Sequence, residues 1–250
     1  MPIPDLSALP ELARGATAVL HDMGDGRALK LFNPGYSANS ARREFQNAQL
    51  VRRLGIPTAR PYAFIDGDRP AIVYERLDGR TMLDSLFQGD LTQQIAQFAA
   101  LHREILAYRA QDAPALKDAW RDSAVRGGQS KYLPLIDLLP DGDRLLHGDY
   151  HPGNVMHTPN GLYVIDCMDV RSGAPICDVA RSVYLMEYTP ADLPIAPRRA
   201  AVDLYLRAMD VPRAEVERVL PAVMAARLGE SIADVEREML LRALSHIHFI

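Results

Sequence analysis

The spacing of apolar residues changes character about a third of the way along the chain. Residues 11–22 (ELARGATAVLHD) and 27–32 (RALKLF) are short strand-like runs on either side of Met23-Gly24-Asp25-Gly26. The Asp-Gly step there favours a tight hairpin turn, so the two runs are expected to pair antiparallel. Ala41, Phe45, Ala48 and Val51 then repeat at helical spacing, predicting a helix over 40–54 that Gly55 and Pro57 end. Two more strands are expected at 59–66 and 71–77, joined by the turn residues Gly67-Asp68-Arg69-Pro70. The order β-β-α-β-β describes a small sheet with one helix against it.

Past Leu77 the pattern becomes helical. Asp90, with Gln93 three residues on, is a plausible cap, and Leu91, Ile95, Phe98, His102, Ile105 and Leu106 form one stripe as far as Tyr108. Residues 109–142 read as a helix pair with loops. Residues 145–156 and 161–166 read as loop and strand pieces around the hairpin signal Asn160-Gly161. From Asp178 onward the pattern is helical, interrupted by Pro190, Pro194, Pro197, Pro212 and Pro221. The expectation is an α+β protein of two domains, a β-rich part over 1–77 and a mainly helical part over 78–250.

Composition narrows the function classes. A chain of 250 residues with 48% hydrophobic content can bury a substantial core. Its 28 basic and 32 acidic residues give a net charge of −4, which argues against a nucleic-acid binder relying on a basic face. No apolar run is long enough to span a bilayer, and the first residues lack a signal-peptide pattern. Cys167 and Cys177 make no disulfide framework, so a cytoplasmic protein with reduced thiols and no membrane partner is expected. Lysine occurs only at 30, 117 and 131, arginine supplying the rest of the positive charge. A lysine inside the apolar strand 27–32 therefore needs a reason.

The densest chemical signal is His147-Gly148-Asp149-Tyr150-His151-Pro152-Gly153-Asn154, followed by Tyr163-Val164-Ile165-Asp166. Phosphoryl transfer needs a carboxylate to orient the acceptor hydroxyl and take its proton. It also needs hard oxygen ligands for the Mg²⁺ that bridges the phosphates. Asp149 and Asn154, in the spacing Asp-x-x-x-x-Asn, can aim one carboxylate at an acceptor and one amide oxygen at a metal. Asp166, after the apolar run LYVI, can complete the metal site.

This segment resembles the His-Gly-Asp-x-His-x-x-Asn loop of the aminoglycoside phosphotransferase and choline kinase superfamily, relatives of the protein kinases. Residues 166–181 (DCMDVRSGAPICDVAR) are similar to the stretch of that superfamily running from the metal-binding aspartate into a helix. The resemblance implies a two-lobed protein-kinase-like fold, with Mg²⁺ as cofactor, ATP or GTP as donor and a small hydroxylated acceptor. It implies that Asp149 is catalytic, that Asn154 and Asp166 bind metal, and that Lys30 contacts the phosphates with Glu44 holding it. It further implies that the backbone around Glu75 and Leu77 reads the adenine edge. The residues themselves agree on one pair: Glu44 shares a helix face with Ala41, Ala48 and Val51, so it points at the sheet that carries Lys30. Two departures count against a protein kinase: Cys167-Met168 stands in place of Phe-Gly, and no activation segment follows Asp166.

Other readings compete at each point. His147, Asp149 and His151 could be three ligands of a metal-dependent hydrolase, or simply a loop whose histidines bond to backbone. The chain could also be an idle kinase-like scaffold that binds nucleotide. Asp178 reads as capping its helix and positioning the Asp149 loop rather than touching substrate. The acidic run 230–238 reads as a solvated helix face or as part of a pocket for a cationic acceptor.

Overall fold

The computed structural model describes residues 9–110, 112–189 and 194–246. In chain order its elements are β1 (Glu11–Arg14), β2 (Ala18–Gly24), β3 (Arg27–Phe32), α1 (Ala38–Arg53), β4 (Pro61–Ile65), β5 (Ala71–Glu75), β6 (Arg80–Thr81) and α2 (Met82–Ser85). There follow α3 (Leu91–Ala107), α4 (Leu116–Arg126), α5 (Leu133–Asp137), β7 (Arg144–Leu146), β8 (Val155–Thr158), β9 (Gly161–Val164) and β10 (Arg171–Gly173). Helices α6 (Pro175–Glu187), α7 (Ile195–Met209), α8 (Arg213–Arg227) and α9 (Asp234–Ser245) complete the chain. They form two compact units. One holds the described residues up to Asp84 together with Gly153–Asp169, the other Ser85–Pro152 and the described residues from Val170 onward.

The first unit is built on a five-stranded antiparallel sheet in the order β1-β2-β3-β5-β4. The expected hairpin turn is present, with Gly24, Asp25 and Gly26 all at positive φ, a conformation that glycine and aspartate tolerate. The run 11–22, expected as one strand, is broken into β1 and β2 by a turn that the Gly15 N–H closes on the Ala18 carbonyl. Alternation then sorts β3. Leu29 and Leu31 join Ile65, Ala71 and Val73 on one face, while Phe32 joins Ala18, Ala41 and Ile72 on the face that α1 covers. Lys30, in step with Phe32, therefore points towards α1.

Helix α1 starts at Ser37, whose hydroxyl accepts the Ser40 N–H. Its buried stripe is Ala41, Glu44, Asn47, Ala48 and Val51, so two polar residues sit among the apolar ones. Phe45, expected within the stripe, is half-buried at its edge and tilts against Phe64. A second sheet, β6-β8-β9, brings the segment after Gly153 into this unit. Strands of two or three residues such as β6 and β10 carry too few positions to show a period, so the sequence pattern does not reveal them.

In the second unit α3 begins as expected, Asp90 accepting the Gln93 N–H. Ile95, Phe98, Ile105, Tyr150, Tyr205, Val183 and Val223 are buried core side chains of this unit. Pro194 and Pro212 immediately precede α7 and α8, and Pro197 lies in the first turn of α7, where a missing N–H breaks no helical bond. Pro221 lies inside α8, which runs through it, and Pro190 lies outside the described residues. Among the described residues no helix is long and apolar enough to cross a membrane.

Candidate active site

In the first unit the strand lysine and the inward glutamate meet. Lys30 Nζ donates to Glu44 Oε1 at 2.7 Å and lies 3.5 Å from Asp166 Oδ1. Tyr74, on the neighbouring strand β5, donates its hydroxyl to the same Glu44 oxygen at 3.0 Å. The lysine side chain is 15% exposed and that of Glu44 1%. Burial works to lower the Lys30 ammonium, but the charges of Asp166 and Glu44 outweigh it and hold the group above its ordinary value. Burial likewise lifts the Glu44 carboxyl, against the pull of Lys30. The result is a fixed cation held between a buried and an accessible carboxylate.

Asp166 follows β9 by two residues and leads into a single 3₁₀ turn, Cys167–Asp169. Its φ is +61°. Among the described residues only two other non-glycines share that sign, Asp25 in the hairpin turn and Asp210 ending α7. Those two lie in a hairpin turn and at a helix C-terminus, whereas Asp166 stands between a strand and a 3₁₀ turn. Such a backbone stores about 1–3 kcal/mol and is kept where it places a group. Asn154 is buried, and its carbonyl accepts the Ile165 N–H at 2.9 Å, which ties the residue to the strand leading into Asp166.

The donor chemistry of these two residues suits Mg²⁺. Both offer hard oxygen, and among the described residues no group of three or more His, Cys, Asp or Glu is gathered as a protein cage. Mg²⁺ is typically held by one or two carboxylates together with substrate phosphates. The same finding bears on the hydrolase reading, since His147, Asp149 and His151 are not gathered as a three-ligand set. His147 is buried, and its Nδ1 accepts the Asp149 N–H at 3.3 Å, which braces the loop. His151 Nε2 lies 3.6 Å from Asp149 Oδ2.

In the second unit the loop around Asp149 is fixed from three sides. Asp178, in the first turn of α6, accepts the N–H groups of His147 at 2.7 Å and Gly148 at 2.8 Å. It also meets His102 Nε2 of α3 at 3.1 Å. Asp178 thus positions the loop, whereas the α6 cap position is Ala174. Tyr150 is fully buried, stacks on Phe98 and His102, and donates its hydroxyl to the Phe98 carbonyl at 2.7 Å. With Tyr150 driven into the core, Asp149 beside it keeps its side chain 29% exposed. Burial pushes the Asp149 carboxyl up, but His151, Arg181 and His147 together bring it below the usual carboxylate range. It is therefore ionised at neutral pH.

Arg181, buried on α6, lies 3.9 Å from Asp149 Oδ1 and 2.9 Å from Glu230 Oε2. Arg227 pairs with Glu230 and Glu236, and Tyr184 donates to Glu236 at 2.7 Å. The acidic run is thus not simply a solvated face: Glu236 is buried, and its negative charge is met by arginine within the protein. Around the expected hinge, the Glu75 N–H donates to the Arg60 carbonyl, the Glu75 carboxylate accepts the Arg60 N–H, and Leu77 is half-buried.

Comparison with known proteins bears on the whole arrangement. Residues 10–214 match the model of the phosphotransferase enzyme family. Curated proteins give no match. Among solved structures, aminoglycoside phosphotransferase APH(4)-Ia is 15% identical with a TM-score of 0.69, over 96% of this chain and 92% of that one. Amicoumacin kinase hAmiN in complex with AMP-PNP, Ca²⁺ and Ami is 16% identical with a TM-score of 0.62, over 96% and 88%. Aminoglycoside-3'-phosphotransferase of type VIII is 18% identical with a TM-score of 0.60, over 86% and 91%. At these identities the likeness establishes the α+β kinase-like fold.

Proposed function

We propose that this chain, which belongs to the phosphotransferase enzyme family, transfers the γ-phosphoryl group of ATP or GTP to a hydroxyl of a small-molecule acceptor with Mg²⁺. The observation that carries the reading is Lys30 held at 2.7 Å from buried Glu44 and 3.5 Å from accessible Asp166. A buried ion pair fixes the lysine head without neutralising the outer carboxylate, which suits a polyanion bound together with a metal ion. Nucleotide binding is assigned to residues 1–77 with the segment bearing Asn154 and Asp166, and the acceptor to the remainder of 78–250.

In this reading Lys30 neutralises the α- and β-phosphates, Glu44 keeps it in place, and backbone groups at Glu75 and Leu77 read the base. Asn154 and Asp166 would hold Mg²⁺, which when bound offsets the charge of the phosphates. Asp149 accepts the hydrogen of the acceptor hydroxyl and orients its oxygen. As the new O–P bond forms, the bridging O–P bond to the β-phosphate breaks and the proton passes to Asp149 and on to water. A carboxylate held below its usual range is a weak base, so its main contribution is alignment, with proton transfer late. Nucleotide-bound relatives support the donor: amicoumacin kinase holds AMP-PNP, and a thermostable mutant of APH(4)-Ia holds ADP with hygromycin B.

The test is a thermal-shift titration with ATP and GTP, each with and without Mg²⁺, on wild type and Asp166→Ala. A ligand present at 100 times its Kd stabilises by about 2.7 kcal/mol, a clear rise in melting temperature. A Mg²⁺-dependent rise lost in Asp166→Ala supports the reading, and turnover with a panel of hydroxylated acceptors then finds the substrate class. No rise with either nucleotide overturns it. Binding without turnover of any acceptor points instead to the idle scaffold.

A further inference from the structure

Helix α1 buries a second polar residue beside Glu44. Asn47 lies three residues after Glu44, so the two share one face of the helix. While Glu44 meets Lys30, the Asn47 Nδ2 donates to the Cys167 carbonyl at 2.9 Å and to the Met168 carbonyl at 3.1 Å. Asn47 is 6% exposed. A side-chain amide carries two hydrogens on one nitrogen, and here each goes to one of two consecutive carbonyls.

Consecutive carbonyls point to the same side only when the backbone is wound as a helical turn, which is what Cys167–Asp169 forms. Asn47 therefore fits this turn in its present winding and no extended form of it. Weak sulfur contacts also reach Cys167 and Met168: Thr58 Oγ1 lies 3.9 Å from Cys167 Sγ, and Tyr36 and Arg43 lie 3.9 and 3.7 Å from Met168 Sδ. The residue immediately before the clamped carbonyls is Asp166, with its left-handed backbone and its carboxylate beside Lys30.

We propose that Asn47 is a positioning residue for the metal-binding carboxylate: by clamping the turn after Asp166, it holds Asp166 in its left-handed conformation and thereby sets the affinity for nucleotide-bound Mg²⁺. The inference rests on the function proposed above. One rigid helix then carries both alignments, the lysine through Glu44 and the aspartate through Asn47, so the phosphate-binding cation and the metal-binding anion are set against each other by a single element.

The experiment compares ADP affinity in excess MgCl₂ and in EDTA for wild type and Asn47→Ala, with the fold of each checked by circular dichroism. Removing a group that orients a metal ligand typically lowers metal affinity by about 10- to 100-fold. Asn47→Ala is expected to lose the Mg²⁺ enhancement by that factor and to bind ADP in EDTA as wild type does. A general loosening of the unit would weaken both. Should Asn47→Ala not fold, Asn47→Ser, whose short hydroxyl cannot reach both carbonyls, is read in the same way. Wild-type Mg²⁺ dependence in a folded variant, or equal weakening with and without metal, overturns the inference alone. Absence of any Mg²⁺ enhancement in wild type removes the proposed function and this inference with it.

Discussion

Asp178→Asn is the sharpest probe of how the Asp149 loop is held, because it changes one buried oxygen and little volume. The carboxylate accepts the N–H groups of His147 and Gly148 and meets His102 Nε2. An asparagine keeps one oxygen. In its better orientation it retains the two partners on one side and turns an NH₂ towards the Gly148 N–H. A hydrogen bond to a charged group contributes about 1.5–3 kcal/mol, and a buried donor left unpaired costs about 1–3 kcal/mol. The sum, roughly 2.5–6 kcal/mol, brackets the ~3–5 kcal/mol that breaking a buried ion pair costs, which is the loss expected here. For a chain of this size it lowers the melting temperature by roughly 6–20 °C. The pH dependence has a definite sign. Burial acts to raise the Asp178 carboxyl, but His102, His147 and the Gly148 N–H outweigh it and hold the group below its ordinary value. Its stabilisation is therefore fully present above the unfolded value of about 3.9 and is lost as pH falls through the lower folded value. Melting curves followed by circular dichroism should show a large gap between wild type and variant at pH 7 that closes below about pH 4. A variant that melts with wild type at pH 7, or a gap that widens on acidification, refutes the reasoning.

Three further outcomes are expected. Asp149→Asn should lower turnover on the identified acceptor by on the order of 10²- to 10⁴-fold while nucleotide affinity is kept; full activity would remove Asp149 from the chemistry. Lys30→Met leaves Glu44 buried without its cation and should destabilise by about 3–5 kcal/mol in urea titrations, with Glu44→Leu in the same chain restoring part of the loss. Gly229→Ala would place a Cβ 1.7 Å from the Ser123 carbonyl oxygen, and the backbone shift this forces should cost about 1–3 kcal/mol, read as a lower melting temperature.

Much of this arrangement is legible from periodicity alone. Lys30 alternates with Leu29 and Leu31, and Glu44 falls in step with Ala41 and Ala48, so periodicity alone turns each towards the other. The helix boundaries at Asp90 and after Arg53 follow from capping and breaking residues in the same way. What stays hidden are partners that tertiary packing brings together. Tyr74 reads as a strand aromatic and His102 as one more member of an amphipathic stripe, and nothing local to Arg181 announces the carboxylates it meets. Asn47 sits 120 residues from the carbonyl it serves. No local pattern encodes such a pairing, because the amide's choice of partner is settled only once the turn after Asp166 is wound beneath α1. The acidic run 230–238 misleads for a related reason: sequence shows the charges of Glu230 and Glu236 but not the arginines folded against them.

The path of the chain has a consequence for taking the protein apart. It passes from one compact unit to the other after Asp84, after Pro152 and after Asp169, so neither unit is encoded by one uninterrupted stretch of gene. A fragment ending at Asp84 would lack β8 and β9, and Arg80 and Thr81 of β6 would lose their pairing with His157 and Met156. It would also lack both carbonyls that Asn47 binds. Such a fragment presents an open strand edge, which invites pairing with a second chain and aggregation. Expressing the first unit by itself requires residues 153–169 to be spliced onto the end of the N-terminal segment.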